Sequence, residues 1–173
     1  GLKSVLEAHP ALATSKRIVD LSSDHRDGSS DFVYGLPEAF RTSVAQASRI
    51  ANPGCYPTAA ALALLPALAK GCIDGPVTIT AVSGVTGAGR AAALRTSFVE
   101  LDGGAAVYAV GTDHAHVAEM ERSFSAAGGK PEHAGFVAQL APMSRGILLT
   151  AIANLDHPVS ADEMAAIYNQ RYN

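Results

Sequence analysis

Apolar and polar positions switch repeatedly between a helical and an extended period along the 173 residues. The opening "GLKSVLEAHPAL" predicts a short helix. "RIVDL" predicts a buried strand running through Val19 and Leu21 into the polar loop "SSDHRDGSSD". "VYGLPEAFRTSVAQA" reads as a weak helix and "RIAN" as a second short strand, broken by Pro53-Gly54. Pro57 then stands at an early position of the Ala/Leu-rich helix that follows Cys55, where a missing N–H costs nothing. "PVTITAVSG" alternates β-branched residues and predicts a strand ending in the glycine-rich loop "SGVTGAGR". "AVYAV", "GFVAQLAP" and "RGILLTAIANL" predict three more strands. Between the first two lies a helix through "HAHVAEMERSFSAA", with Thr112 or Asp113 as its cap. Ser160 and Glu163 have capping-box spacing and open a last helix, "ADEMAAIYNQRY".

Helix and strand alternate up to about Asn52 as in a parallel α/β domain, whereas the later strands crowd together as in an α+β sheet with helices on one face. The expected division is residues 1–54 and 55–173, with the junction at Cys55. No internal repeat or low-complexity tract interrupts this order.

Composition narrows the function. Thirteen Lys and Arg against sixteen Asp and Glu give a net charge of -3 and a pI near 6.0, without any basic run, so neither nucleic acid nor an anionic membrane is the expected partner. The longest apolar run, Ala59 to Ala69, is too short to span a bilayer and contains Pro66, and the N-terminus lacks a signal-peptide pattern. A cytoplasmic setting and a small-molecule substrate are expected. Two cysteines form no disulfide framework and no C-x-x-C pair, so each needs its own account.

Cys55 stands where a helix begins, bracketed by Pro53-Gly54 and Pro57. Unpaired backbone N–H groups and the positive end of the helix dipole at such a position favour the thiolate, the reactive form of cysteine. Cys72, in "KGCIDG", lacks these features and is expected to be structural. Of the six histidines, His9, His25, His133 and His157 lie in isolated polar contexts and are expected at the surface. His114 and His116 open a helix, and Glu119, three residues after His116, shares its face and can orient its imidazole. His-x-His could also ligate a metal, but no third strong ligand is recognisable. "SGVTGAGR" does not have the G-x-G-x-x-G spacing, yet its glycines permit close approach of a ligand. Arg90 and Arg145 are candidates for gripping an anionic group, because the guanidinium fork matches phosphate and carboxylate geometry.

Taken together, "NPGCYPTA", "VDLSSDHR", "YGLPE", "SGVTGAGR", "HAHVAEME" and "PMSRGIL" resemble the N-acetyl-gamma-glutamyl-phosphate reductase family, within the superfamily that includes aspartate-semialdehyde dehydrogenase. The resemblance covers nearly the whole chain. It implies the end of a Rossmann-type dinucleotide-binding domain over residues 1–54, followed by a catalytic domain with a mixed sheet, like the C-terminal domain of glyceraldehyde-3-phosphate dehydrogenase. It also implies an NADP-dependent reduction of an acyl phosphate through a cysteine thioester, as part of arginine biosynthesis. Cys55 would be the nucleophile and one of His116 and His114 the acid/base, with His116 favoured. Ser83, Gly84 and Gly87 would lie near the nicotinamide, and the complete enzyme would be a homo-oligomer. The family's glycine-rich nucleotide turn and its C-terminal segments are not found in the sequence, so the chain is expected to be an internal fragment, inactive by itself. "HAHVAEM" also replaces the commoner H-R-H-x-P-E-I. The related reductase of aminoadipyl phosphate, a thiol hydrolase and a non-catalytic assembly domain remain as alternatives.

Overall fold

Two separate sheets organise the chain, one in the unit Gly1–Gly54 and one in the unit Cys55–Asn173. The computed structural model describes residues 1–14, 17–28, 30–89, 93–111, 114–129 and 134–173, with the backbone alone at Arg95. Among these residues no helix is long and apolar enough to cross a membrane.

The first unit contains α1 (Leu2–Ala8), a 3-10 turn (Pro10–Thr14), β1 (Ile18–Asp20), β2 (Val33–Tyr34), α2 (Pro37–Gln46) and β3 (Arg49–Ala51). Its strands are all parallel, in the order β1-β3-β2. Three expectations need correction. Val19 and Leu21 are 58% and 74% exposed while Asp20 is buried, so β1 turns its acidic residue inward. The reason lies in the loop. His25, expected at the surface, is buried, stacks on Phe32 with centroids 4.1 Å apart, and places Nδ1 2.7 Å from the Asp20 carboxylate. Burial by itself would raise the Asp20 carboxyl, but the hydrogen bonds from His25 and Ser22 outweigh it and hold the group below the usual carboxylate range. Finally, "VYGLPEAFRTSVAQA" is not one helix. Val33–Tyr34 pairs with β3, and Pro37 at the first turn starts α2, which Phe40 interrupts with non-helical dihedrals.

Further along the same loop, Ser22 Oγ and the Asp24 carboxylate accept the backbone N–H groups of Leu2 and Lys3 and so cap α1.

The second unit contains α3 (Cys55–Ala69), β4 (Ile73–Gly84), 3-10 turns at Val85–Ala88 and Leu94–Thr96, and α4 (Phe98–Leu101). It continues with β5 (Ala106–Gly111), α5 (His116–Ala126), β6 (Ala134–Ala141), β7 (Ile147–Leu155) and α6 (Ala161–Tyr172). The sheet order is β5-β6-β4-β7, with β4 and β6 parallel and both outer pairs antiparallel. Inward residues of β4 and β6, including Val77, Ile79 and Phe136, pack against Ala60 and Leu64 of α3 and Met120 and Phe124 of α5. Because side chains alternate along a strand, the other face carries Val107, Val110, Leu148 and Ile152, between 52% and 69% exposed. Among the described residues, helices thus cover one face and leave the other open. Ser160 and Glu163 form the expected capping box at the start of α6. Thr112 and Asp113, the expected caps of α5, lie outside the described residues, and that helix begins at His116 rather than His114.

Candidate active site

Cys55 is the first residue of α3 and is exposed, whereas Cys72 is buried at 3% exposure. The helix behind Cys55 is apolar on every side, and Tyr56, Pro57, Ala60, Ala61 and Leu64 anchor its first turns in the core. A rigid helix end therefore presents the thiol. His116 is likewise the first residue of its helix, α5, whose first turn is anchored by buried Val117, Glu119 and Met120.

These two side chains wall one cavity of about 320 Å³, together with Tyr56, Ser83, Gly87 and Tyr108. Glu119 is buried, with Oε1 3.9 Å from His116 Nε2, so a carboxylate faces the imidazole from one helical turn away. His114 is not in the cavity wall. Its Nδ1 accepts the backbone N–H of His116 at 3.1 Å, and its ring meets Phe136 edge-on at 5.2 Å. Burial, the larger influence, pushes the His114 imidazole below its ordinary range against the opposing charge of Glu119.

The glycine-rich loop divides in its roles. Ser83 is buried at the end of β4 and faces the cavity, and an added Cβ at Gly87 would fall 2.9 Å from Ser83 Oγ, inside the space the two residues leave open. Gly84 is elsewhere. A Cβ there would lie 2.7 Å from the Arg145 backbone N and 2.8 Å from the Met143 carbonyl, so its lack of a side chain lets two backbone segments touch. Hydrogen bonds from Gly84 N to the Gly146 carbonyl, from Val85 N to the Met143 carbonyl and from Thr86 Oγ1 to the Ser144 carbonyl seal this contact. Arg145 serves that junction through its backbone and lies outside the cavity wall. Arg90 lies outside the described residues.

Sequence reasoning missed the two tyrosines. Tyr56 donates to the Gln139 carbonyl at 3.0 Å and shares the cavity wall with Tyr108 and Ser83. Burial raises both phenols above the ordinary range, so both remain protonated donors at neutral pH. Tyr108 reaches this place through a β-bulge. Val107 pairs with Gln139 and Ala109 with Ala138, leaving Tyr108 as the extra residue, and both it and Ala109 turn toward the helix-covered side. Strict alternation of "AVYAV" would have given no such pair, and the lone aromatic in that strand was the available signal. Among the described residues no group of three or more His, Cys, Asp or Glu is placed to hold a metal.

A thiol and an imidazole on converging helix ends, set against a mixed sheet covered on one side, define a class of domain. Residues 55–173 match the family described as semialdehyde dehydrogenase, dimerisation domain, and the chain belongs to that family. Among its relatives, N-acetyl-gamma-glutamyl-phosphate reductase of Halorhodospira halophila is 40% identical over 96% of the chain and 54% of its own length. The protein of the same name from Dehalococcoides mccartyi is 45% identical over 81% of the chain and 41% of its own length. The chain thus spans about half the length of the curated relatives it matches. In fold it is similar to aspartate semialdehyde dehydrogenase II of Vibrio cholerae, with a TM-score of 0.73 at 17% identity over 98% of the chain and 57% of that protein. Aspartate semialdehyde dehydrogenase of Francisella tularensis gives a TM-score of 0.70 at 10% identity, over 99% and 60%.

Proposed function

We propose that this chain carries the catalytic centre of an oxidoreductase that converts an acyl phosphate to an aldehyde, with N-acetylglutamyl 5-phosphate as substrate, in the route to arginine. The observation that carries the reading is the shared cavity of Cys55 and His116. The names of the relatives support the choice of substrate.

Cys55 Sγ attacks the acyl carbon, the carbon–oxygen bond to phosphate breaks, and a thioester forms on the protein. His116 takes the thiol proton, and the Glu119 carboxylate supports the imidazolium. The N-termini of α3 and α5 both open on the cavity, so the positive ends of the two helix dipoles favour the negative charge that develops on the acyl oxygen and on the departing phosphate. A nicotinamide cofactor, NADPH in this reading, would supply the hydride that the thioester carbon needs. Ser83 and Gly87 suit such a group: both line the cavity that Cys55 lines, and Gly87 leaves room where a Cβ would crowd the Ser83 hydroxyl. Collapse of the oxyanion then releases aldehyde and returns the thiolate, which His116 can reprotonate.

The test is an assay in the oxidising direction with N-acetylglutamate 5-semialdehyde, phosphate and NADP, on the chain completed with the segments its longer relatives possess. Turnover that vanishes in Cys55→Ser and falls by about two to four powers of ten in His116→Asn is expected. Hydrolysis of thioesters without any need for nicotinamide would replace the reading with a thiol hydrolase, and absence of any turnover would favour an assembly role.

The family description also supports a homo-oligomer. A second copy covering the open sheet face with its exposed Val107, Val110, Leu148 and Ile152 is the arrangement we favour.

A further inference from the structure

We infer that His114 is a positioning residue whose neutral Nδ1 caps the first turn of α5 and thereby fixes where His116 points, so that the His-x-His pair is one cap and one acid/base rather than two interchangeable proton carriers. The inference rests on the reductase reading for its purpose but on geometry for its content.

A backbone N–H can only donate. The 3.1 Å contact from His116 N therefore requires a lone pair on His114 Nδ1, which fixes the ring as the neutral Nε2–H tautomer. This contact joins a side chain to the N–H two residues on, the pattern by which Asn and Asp cap helices, at the residue where α5 begins. The N-cap, Ala115, has no side-chain acceptor to offer, so His114 fills the role from one residue earlier.

The ring is also boxed in. It meets Phe136 at 5.2 Å, Tyr108 at 5.9 Å and Tyr56 at 6.1 Å, each steeply inclined, and the His116 ring at 4.7 Å. Among the described residues, the titratable groups facing it are Tyr56 on α3, Tyr108 on β5, and His116 and Glu119 on α5, while β6 offers uncharged Phe136. Only Glu119 would favour a cation, and burial outweighs it. With its ring held on four sides and its acceptor engaged, His114 cannot swing toward Cys55. It can hold the residue that faces the cavity. A second imidazolium 4.7 Å from a protonated His116 would also repel it, so a neutral neighbour leaves His116 free to carry the proton.

Nitrogen-15 NMR of the chain tests this without any turnover, so its result and that of the reductase assay are independent. The expected spectrum has His114 as the Nε2–H tautomer at neutral pH, and an Nδ1–H tautomer would overturn the inference outright. His114→Asn retains an acceptor at nearly the same place, whereas His114→Phe retains the ring without it. Hydrogen exchange at the His116 amide should stay within about threefold of the parent in His114→Asn and accelerate about tenfold in His114→Phe, in line with the loss of a helix cap. In the parent, but not in His114→Asn, that protection should be lost as pH falls through the lowered His114 titration. Equal protection in the Asn and Phe variants, or better protection in Phe, would show that the ring serves packing alone and would reject the cap.

Discussion

At residue scale, Cys55 and Cys72 carry the same thiol in opposite settings, one exposed at the start of α3 and the other 3% exposed beside β4. Reagent reaches the first directly and the second only after local opening. Brief iodoacetamide treatment followed by peptide mapping should therefore label Cys55 well before Cys72, and equal labelling of the folded chain would count against an accessible nucleophile. His114 gives a pH effect of definite sign. Because burial lowers its titration in the folded chain, the unfolded chain binds the proton more readily, so stability declines as pH drops below the ordinary imidazole value. The decline ends where the folded ring is protonated too. Urea midpoints measured across this window should slope less in His114→Asn than in the parent, and identical slopes would remove His114 as the source.

At the scale of elements, α3 contains Pro66, which has no N–H to offer the Leu62 carbonyl four residues earlier. Helix α6 repairs the gap. Tyr172 donates its hydroxyl to the Leu62 carbonyl at 2.6 Å, and Tyr168 donates to the neighbouring Ala63 carbonyl. Two phenols thus tie the last helix to the one that presents Cys55. Tyr168→Phe and Tyr172→Phe should each cost about 1 kcal/mol, the usual worth of one hydrogen bond, with less at Tyr172, which is 44% exposed. Denaturant titration measures the cost, and limited proteolysis should cut α6 first in the double variant; unchanged cleavage would mean that apolar contacts alone hold the helix. The β5 bulge works at the same scale, since one extra residue turns Tyr108 toward the cavity while Val107 and Val110 stay outside.

At the scale of the whole molecule, the mixed sheet is covered by helices on one face while the other presents branched apolar side chains to solvent, an arrangement that favours association. If a second copy covers that face, Ile152→Arg should convert the oligomer to a monomer in light scattering without loss of helix by circular dichroism. An oligomer that survives the substitution would move the contact elsewhere.

How much of this was legible beforehand differs by residue. "NPGCYPTA" announces a helix start at a cysteine because prolines and glycine restrict the backbone locally, and Ser160 with Glu163 announces a cap because both partners lie within one turn. "PVTITAVSG" and "RGILLTAIANL" announce strands by their side-chain period, and the covered face follows once helices are counted. Such features depend on neighbours in sequence. The burial of Asp20 and His25 does not, because a polar pair enters a core only where each finds its partner, and Phe32 must arrive from another segment to stack on the ring. The same holds for the division of labour between His114 and His116, which share a tripeptide and differ only in what surrounds them. It holds again for Tyr108, whose direction depends on a register shift against β6, and for Gly84, whose missing Cβ matters only because the Met143–Arg145 backbone lies against it. Local pattern determined which elements form and where the thiol stands; long-range packing decided which polar groups are buried, which face stays open and which imidazole reaches the cavity, since those depend on atoms distant along the chain.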